Sequence, residues 1–106
     1  MSAFVSLDGA TQLGPGEDRQ LQVTTAHHTM AVSLTGEPTN CVVALEGSHD
    51  GYVWFSMGTL QMYLTGGTKT TQPTGSLFNH VRANLLELEG GIDPRVTASI
   101  ASADGV

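Results

Sequence analysis

The sequence predicts an all-β fold, an antiparallel β-sandwich of about seven or eight short strands, on three observations. Apolar residues recur at every second position in run after run, which is the period of a strand with one buried face. Gly, Pro, Asn and Asp interrupt those runs at short, near-regular intervals, and no run spaces its apolar residues as a helix would. The composition is rich in Thr and Gly, with 13 Gly, 4 Pro and 40% apolar residues, which suits a globular β protein and not a disordered tail. With 106 residues and no break in composition, the chain is expected to form one domain over 1–106.

Residues 3–7 alternate and stop at Asp8-Gly9, giving a short first strand; 1–18 as a whole is expected to be an extended N-terminal segment. Leu13-Gly14-Pro15-Gly16-Glu17-Asp18 reads as a loop, because two glycines around a proline sustain neither regular structure. Over 19–25, Leu21, Val23 and Thr25 face one way and Gln20, Gln22 and Thr24 the other; beyond His27-His28, Met30, Val32 and Leu34 alternate with Ala31, Ser33 and Thr35. Gly36-Glu37-Pro38-Thr39-Asn40 then breaks the chain.

The clearest local signal is a hairpin over 41–57. Cys41, Val43 and Leu45 lie opposite Ala44, Glu46 and Ser48, Asp50-Gly51 supplies a turn, and the β-branched and aromatic run 53–57 returns. Strict alternation in the returning strand puts Tyr52 and Trp54 on one side, with Val53 and Phe55 on the other. Leu60, Met62 and Leu64 suggest a further strand. Residues 66–75 contain no apolar side chain and are expected to project as a flexible loop holding Lys69, the chain's one lysine.

Val81, Ala83 and Leu85 alternate with Arg82 and Asn84, while Leu86 and Leu88 add apolar groups to the second face. Either both faces are covered there or a β-bulge shifts the register near Leu85-Leu86. Residues 89–94 form a turn, Val96, Ala98 and Ile100 mark the last strand, and the tail from Ser102 is expected to fray.

Charge narrows the function classes. Charged residues make up 13% of the chain, about half the usual share for a soluble domain, which leaves a neutral surface or one covered in an assembly. The formal charge of −6, from 4 Lys+Arg against 10 Asp+Glu, offers no basic cluster to neutralise phosphates, so nucleic-acid binding is not expected. An acidic surface fits a basic protein partner or simple solubility. No stretch of 18 apolar residues and no basic-then-apolar leader is visible, so no membrane partner is expected and synthesis and folding are placed in the cytoplasm.

A search for convergent chemistry gives little. Cys41 alone forms no intramolecular disulfide and sits on an apolar strand face, as a small hydrophobe does. Adjacent His27 and His28 point to opposite faces of a strand, and His49 and Asp50 occupy a hairpin tip, so no metal set is assembled. Glu87 and Glu89 share a face, where solvation outweighs a carboxylate pair or calcium site. No phosphate loop, nucleophile elbow, zinc motif or paired-cysteine motif occurs, so neither an enzyme nor a cofactor is expected. Tyr52, Trp54 and Tyr63 could form a platform for a sugar ring; packing in the core or an interface is favoured for Trp54, and Tyr52 is open between the two.

The run Leu-Glu-Gly-Ser-His-Asp-Gly-Tyr-Val-Trp over 45–54, followed by His-Val-Arg-Ala-Asn-Leu, a Gly-Gly and Val-Thr-Ala-Ser-Ile, resembles small β-sandwich, jelly-roll-like virion proteins of tailed bacteriophages, of the head-decoration type. The likeness covers roughly 41–101; it departs from the usual pattern at His80, where an aromatic such as Tyr commonly precedes the Val-Arg pair. The resemblance implies jelly-roll connectivity and a capsid decoration or cement protein on the virion surface. Such a protein binds the major capsid protein, stabilises the shell, and forms a homo-oligomer, as a trimer at three-fold positions. The alternative is a tail-associated or carbohydrate-binding jelly roll that contacts the host surface, with a glycan as partner. Phe4, Tyr52, Trp54, Tyr63 and Lys69 are the candidate partner contacts, with 66–75 and the N-terminal segment around them.

Overall fold

The computed structural model describes residues 2–25, 27–62, 67–70 and 78–103, and within them nine strands. In chain order these are β1 (Ser2–Ala10), β2 (Gly14–Pro15), β3 (Arg19–Thr25), β4 (His27–Thr35), β5 (Asn40–Ser48), β6 (Phe55–Met62), β7 (Gly67–Thr70), β8 (Phe78–Glu89) and β9 (Arg95–Ala103). They form two antiparallel sheets: β1-β9-β4-β7, and β2-β8-β5-β6 with β3 also paired to β8. The antiparallel sandwich expected from the alternation is the fold.

The inward faces come from the period-two runs. Met30 and Val32 of β4 meet Val96, Ala98 and Ile100 of β9 in one sheet; Cys41, Val43 and Leu45 of β5 and Val81, Ala83 and Leu85 of β8 oppose them in the other. All are buried, so the core lies between the sheets and runs the length of β5 and β8. Burial pushes the Cys41 thiol up, as expected of a cysteine serving as a core hydrophobe. The ambiguity at Leu85-Leu86 resolves as a bulge. Val42 pairs with Glu87 and Val43 with Leu85, so Leu86 is the extra residue, turned outward and exposed, while Leu88 returns to pack on the core.

Several expectations need correction. The first strand, expected over 3–7, runs longer, from Ser2 to Ala10 against β9, and Phe4, a candidate contact, is a core residue, 7% exposed. Within the loop expected over 66–75, residues 67–70 pair with β4 from Val32 to Thr29; the remainder of that stretch lies outside the described residues. Residues 53 and 54 do not begin the returning strand, which starts at Phe55 and runs unbroken to Met62, merging two expected strands into one. The strand ending at 103 takes in Ser102, and the rest of the tail lies outside the described residues.

One margin of the sandwich is closed by a single hydroxyl. Ser6, at a register shift in β1, donates its Oγ–H to the Glu17 carbonyl at 2.6 Å and accepts the Ala83 N–H at 2.9 Å; Glu17 N–H and Gly16 N–H add bonds to Ser6 O and Ala83 O. A Cβ on Gly16 would collide with the Ser6 carbonyl, so glycine is required for this close approach. Ser6→Ala strands a buried N–H, and a loss of about 1–3 kcal/mol is expected in urea unfolding. Ser6→Thr, which keeps the oxygen, should retain more of the stability.

Candidate functional site

The site begins with the hairpin turn. Asp50 accepts three bonds at Oδ1: from the N–H of Tyr52 at 2.8 Å, the N–H of Val53 at 3.0 Å and the hydroxyl of Ser48 at 3.0 Å. The Oγ of buried Ser48 in turn accepts the N–H groups of Asp50 and Gly51. These side-chain bonds take the amides that a strand ladder would otherwise use, which is why 49–54 is a bent loop and not the start of β6. The expected alternation of Tyr52 and Trp54 fails for that reason.

Tyr52 is 87% exposed, and Val53 and Phe55 each show more than half their surface, so a pinned loop presents an apolar tip to solvent. Trp54 turns the other way. Its ring lies on the outer face of the second sheet with the Arg82 guanidinium 4.1 Å from its centroid, and His80 meets it edge-on at 6.5 Å and 79°. Histidine thus supplies the ring at the position where the resembling pattern has an aromatic.

Beneath the indole, Arg82 donates its Nε–H to Glu46 Oε1 at 2.8 Å, and Asn84 donates to Glu46 Oε2 at 3.2 Å. Both ion-pair partners are largely covered, with 20% and 15% of their side chains exposed. Cross-strand pairing sets the cluster, because β5 places Glu46 opposite Arg82 and Ala44 opposite Asn84. Ala44 is 2% exposed although it faces outward, so these longer side chains roof the middle of the sheet.

The hydrogen bonds from the Val53 and Tyr52 amides, the first of them the stronger cause, hold the Asp50 carboxyl down at about 2 against an ordinary 3.8. A carboxylate depressed on folding contributes fully above its unfolded value and loses that contribution as pH falls through the folded one. Trp54, the chain's one tryptophan, reports this directly. Its emission is expected to hold steady from neutral pH to about pH 3 and shift as pH approaches about 2, whereas Asp50→Ala shifts it at neutral pH already.

Of the candidate contacts read from the sequence, the structure thus brings together Tyr52 and Trp54 on one loop. Phe4 packs in the core with the Arg19 guanidinium 4.6 Å above its ring, on the first sheet's margin. Tyr63 and the side chain of Lys69 lie outside the described residues, although Lys69 itself is a position of β7. Glu46, Arg82 and Asn84 were missed as a group; Glu46 and Arg82 are 36 positions apart and meet only through the β5–β8 register. Their signal was present, however, in the strings Leu-Glu-Gly-Ser and Val-Arg-Ala-Asn-Leu, whose polar members Glu46, Arg82 and Asn84 meet on this face. Among the described residues no group of three His, Cys, Asp or Glu side chains could hold a metal ion.

No family model matches the chain, and no curated protein matches it. Solved structures do. The SPBc2 prophage-derived protein YomS superposes with a TM-score of 0.60 at 12% identity, over 96% of this chain and 92% of that one. CpGH89 from Clostridium perfringens, in complex with its substrate GlcNAc-alpha-1,4-galactose, matches with a TM-score of 0.61 at 10% identity, over 97% of this chain but 14% of its own. A CBM4 structure matches at 0.52 and 14% identity, over 82% of this chain and 59% of that one. At these identities the likeness is one of fold.

Proposed function

We propose that this chain is a bacteriophage virion structural protein that works by binding and not by turnover, and that it decorates the capsid exterior by docking on the major capsid protein. The observation that carries this reading is the near end-to-end likeness to a prophage-derived protein of the same size and fold. The strand order, β1-β9-β4-β7 facing β3-β8-β5-β6, supports it, since the connections from β3 to β4, β4 to β5, β6 to β7, β7 to β8 and β8 to β9 cross between sheets, as in a jelly-roll winding, with β5 and β6 paired as a hairpin. The sparse charge and the exposed Tyr52, Val53 and Phe55 suit a surface completed by a neighbour. A decoration protein stabilises a shell by mass action, binding the assembled state and not the free subunits, and a trimer would match three-fold positions of the shell.

Sedimentation of the purified chain with undecorated shells tests this. Saturable binding at a fixed copy number, with shells more resistant to heat, is the expected result; absence of binding removes the reading. A second reading, a glycan-binding module, is favoured by the indole, guanidinium, carboxylate and amide grouped on an outer sheet face and by the likeness to CBM4, a carbohydrate-binding module. Glycan binding that is lost on Tyr52→Ala or Trp54→Ala, with no affinity for shells, would establish that reading instead.

A further inference from the structure

The loop between β5 and β6 is held firmly in place and yet holds apolar side chains out in water. The support comes from within and from below. Ser48 Oγ accepts the N–H groups of Asp50 and Gly51, and Asp50 Oδ1 accepts those of Tyr52 and Val53. Gly51 sits on the His80 ring, which a Cβ there would approach to 3.3 Å, and Trp54 meets the same ring edge-on while lying against Arg82. Nevertheless Tyr52 is 87% exposed and Val53 is 56% exposed. An ordered aromatic ring in water adds nothing to the fold. It has already given up the freedom that binding would otherwise cost, which is the property of an interface anchor.

Charge at the tip names the occupant. Asp50 is exposed beside Tyr52, and the Val53 and Tyr52 amides hold its carboxyl down at about 2, so it is charged at neutral pH. The guanidinium beneath the loop, Arg82, is bonded to Glu46. Two apolar side chains next to a carboxylate are complemented by an apolar pocket with a cation at its rim. The chain's own arginines are engaged elsewhere: Arg19 donates to Ala3 O and lies over Phe4, and Arg95 pairs with Asp93. A second copy meeting this tip with its own would set Asp50 against Asp50. A lipid surface is disfavoured by the same carboxylate, which anionic headgroups repel and hydrocarbon excludes.

We infer that the 49–54 loop anchors the contact with the shell: Tyr52 and Val53 enter an apolar pocket of the major capsid protein, and Asp50 meets a lysine or arginine at its rim. This rests on the decoration reading and names the surface and the chemistry of the partner. Ser48 and His80 are positioning residues that hold the loop in the shape the pocket takes. Each protomer carries one such loop, so a trimer repeats the anchor around its axis and gains avidity.

Three variants and one control, each checked for an unchanged circular dichroism spectrum, test this by sedimentation with undecorated shells. Tyr52→Ala/Val53→Ser is expected to bind at least roughly tenfold more weakly. Asp50→Asn keeps an oxygen for the Tyr52 and Val53 amides but loses the charge. Its Trp54 emission should match the wild type, while its binding falls about threefold and responds less to salt. Asp50→Ala loses the oxygen as well and should bind more weakly than Asp50→Asn. Ile92→Ala is the control: Ile92 is also 87% exposed, but it follows the Glu89 end of β8, opposite the His80 end that supports the loop. Its truncation should leave binding unchanged.

Unchanged binding by Tyr52→Ala/Val53→Ser overturns the inference, as does an equal loss in Ile92→Ala, which would mark general apolar adhesion. Asp50→Asn that binds as tightly as the wild type also overturns it, since the partner then has no basic rim. So does flotation of the wild-type chain with vesicles of phosphatidylcholine and phosphatidylglycerol that Tyr52→Ala/Val53→Ser abolishes, which would make a lipid surface the occupant. If the wild-type chain does not bind shells at all, the decoration reading falls and this inference with it; if it binds and the variants bind equally, the inference alone falls.

Discussion

Leu45→Ala is expected to lower the unfolding free energy by about 3 kcal/mol, and the melting temperature by roughly 15 °C for a domain of this size. Leu45 is fully buried at the centre of β5, paired with Ala83 of β8 on one side and Gly58 of β6 on the other. Neither neighbour has the bulk to fill the space a shortened side chain leaves, so the site collapses poorly and the cavity adds to the lost transfer energy. Leu13→Ala is the control. Leu13 is 61% exposed, and its truncation should change stability by less than about 0.5 kcal/mol. A loss at Leu45 no larger than at Leu13 would mean that the core does not lie where β5 and β8 place it.

That contrast shows how far the fold is legible in the chain itself. Leu45, Val96, Ala98 and Ile100 were legible as core because each alternates with polar or small residues, and Cys41 and Val43 because they extend the same period of two, which has one structural meaning. The bulge at Leu86 was legible as one of two alternatives because an extra apolar residue broke the period. β7 was not legible. A strand without apolar side chains has no pattern, and Gly67–Thr70 is extended because β4 offers it a ladder. Residues 52–54 misled for the opposite reason: aromatic and β-branched residues favour a strand, but the Asp50 carboxylate engages their amides first. The Glu46–Arg82–Asn84 group needed a strand register, which period alone cannot supply.

The same group yields the second large effect. Arg82→Ala is expected to cost about 2 kcal/mol, and to shift Trp54 emission, because two supports are lost at once. The Glu46 carboxylate, 15% exposed, keeps the Asn84 amide but loses its counter-charge, and the indole loses the guanidinium that lies against it. The cost is less than for a fully buried pair, since water still reaches both partners. If the penalty comes from the stranded carboxylate, removing both charges should restore most of it. Glu46→Gln with Arg82→Met is therefore expected to be more stable than Arg82→Ala alone, with a coupling energy of about 1 kcal/mol in a double-mutant cycle. If the penalty comes from the indole contact, the double variant should recover stability only to the extent that the introduced thioether side chain packs under Trp54, and the emission shift should track that recovery. A cycle with no coupling would separate the two and assign the roof of this sheet to the indole contact alone.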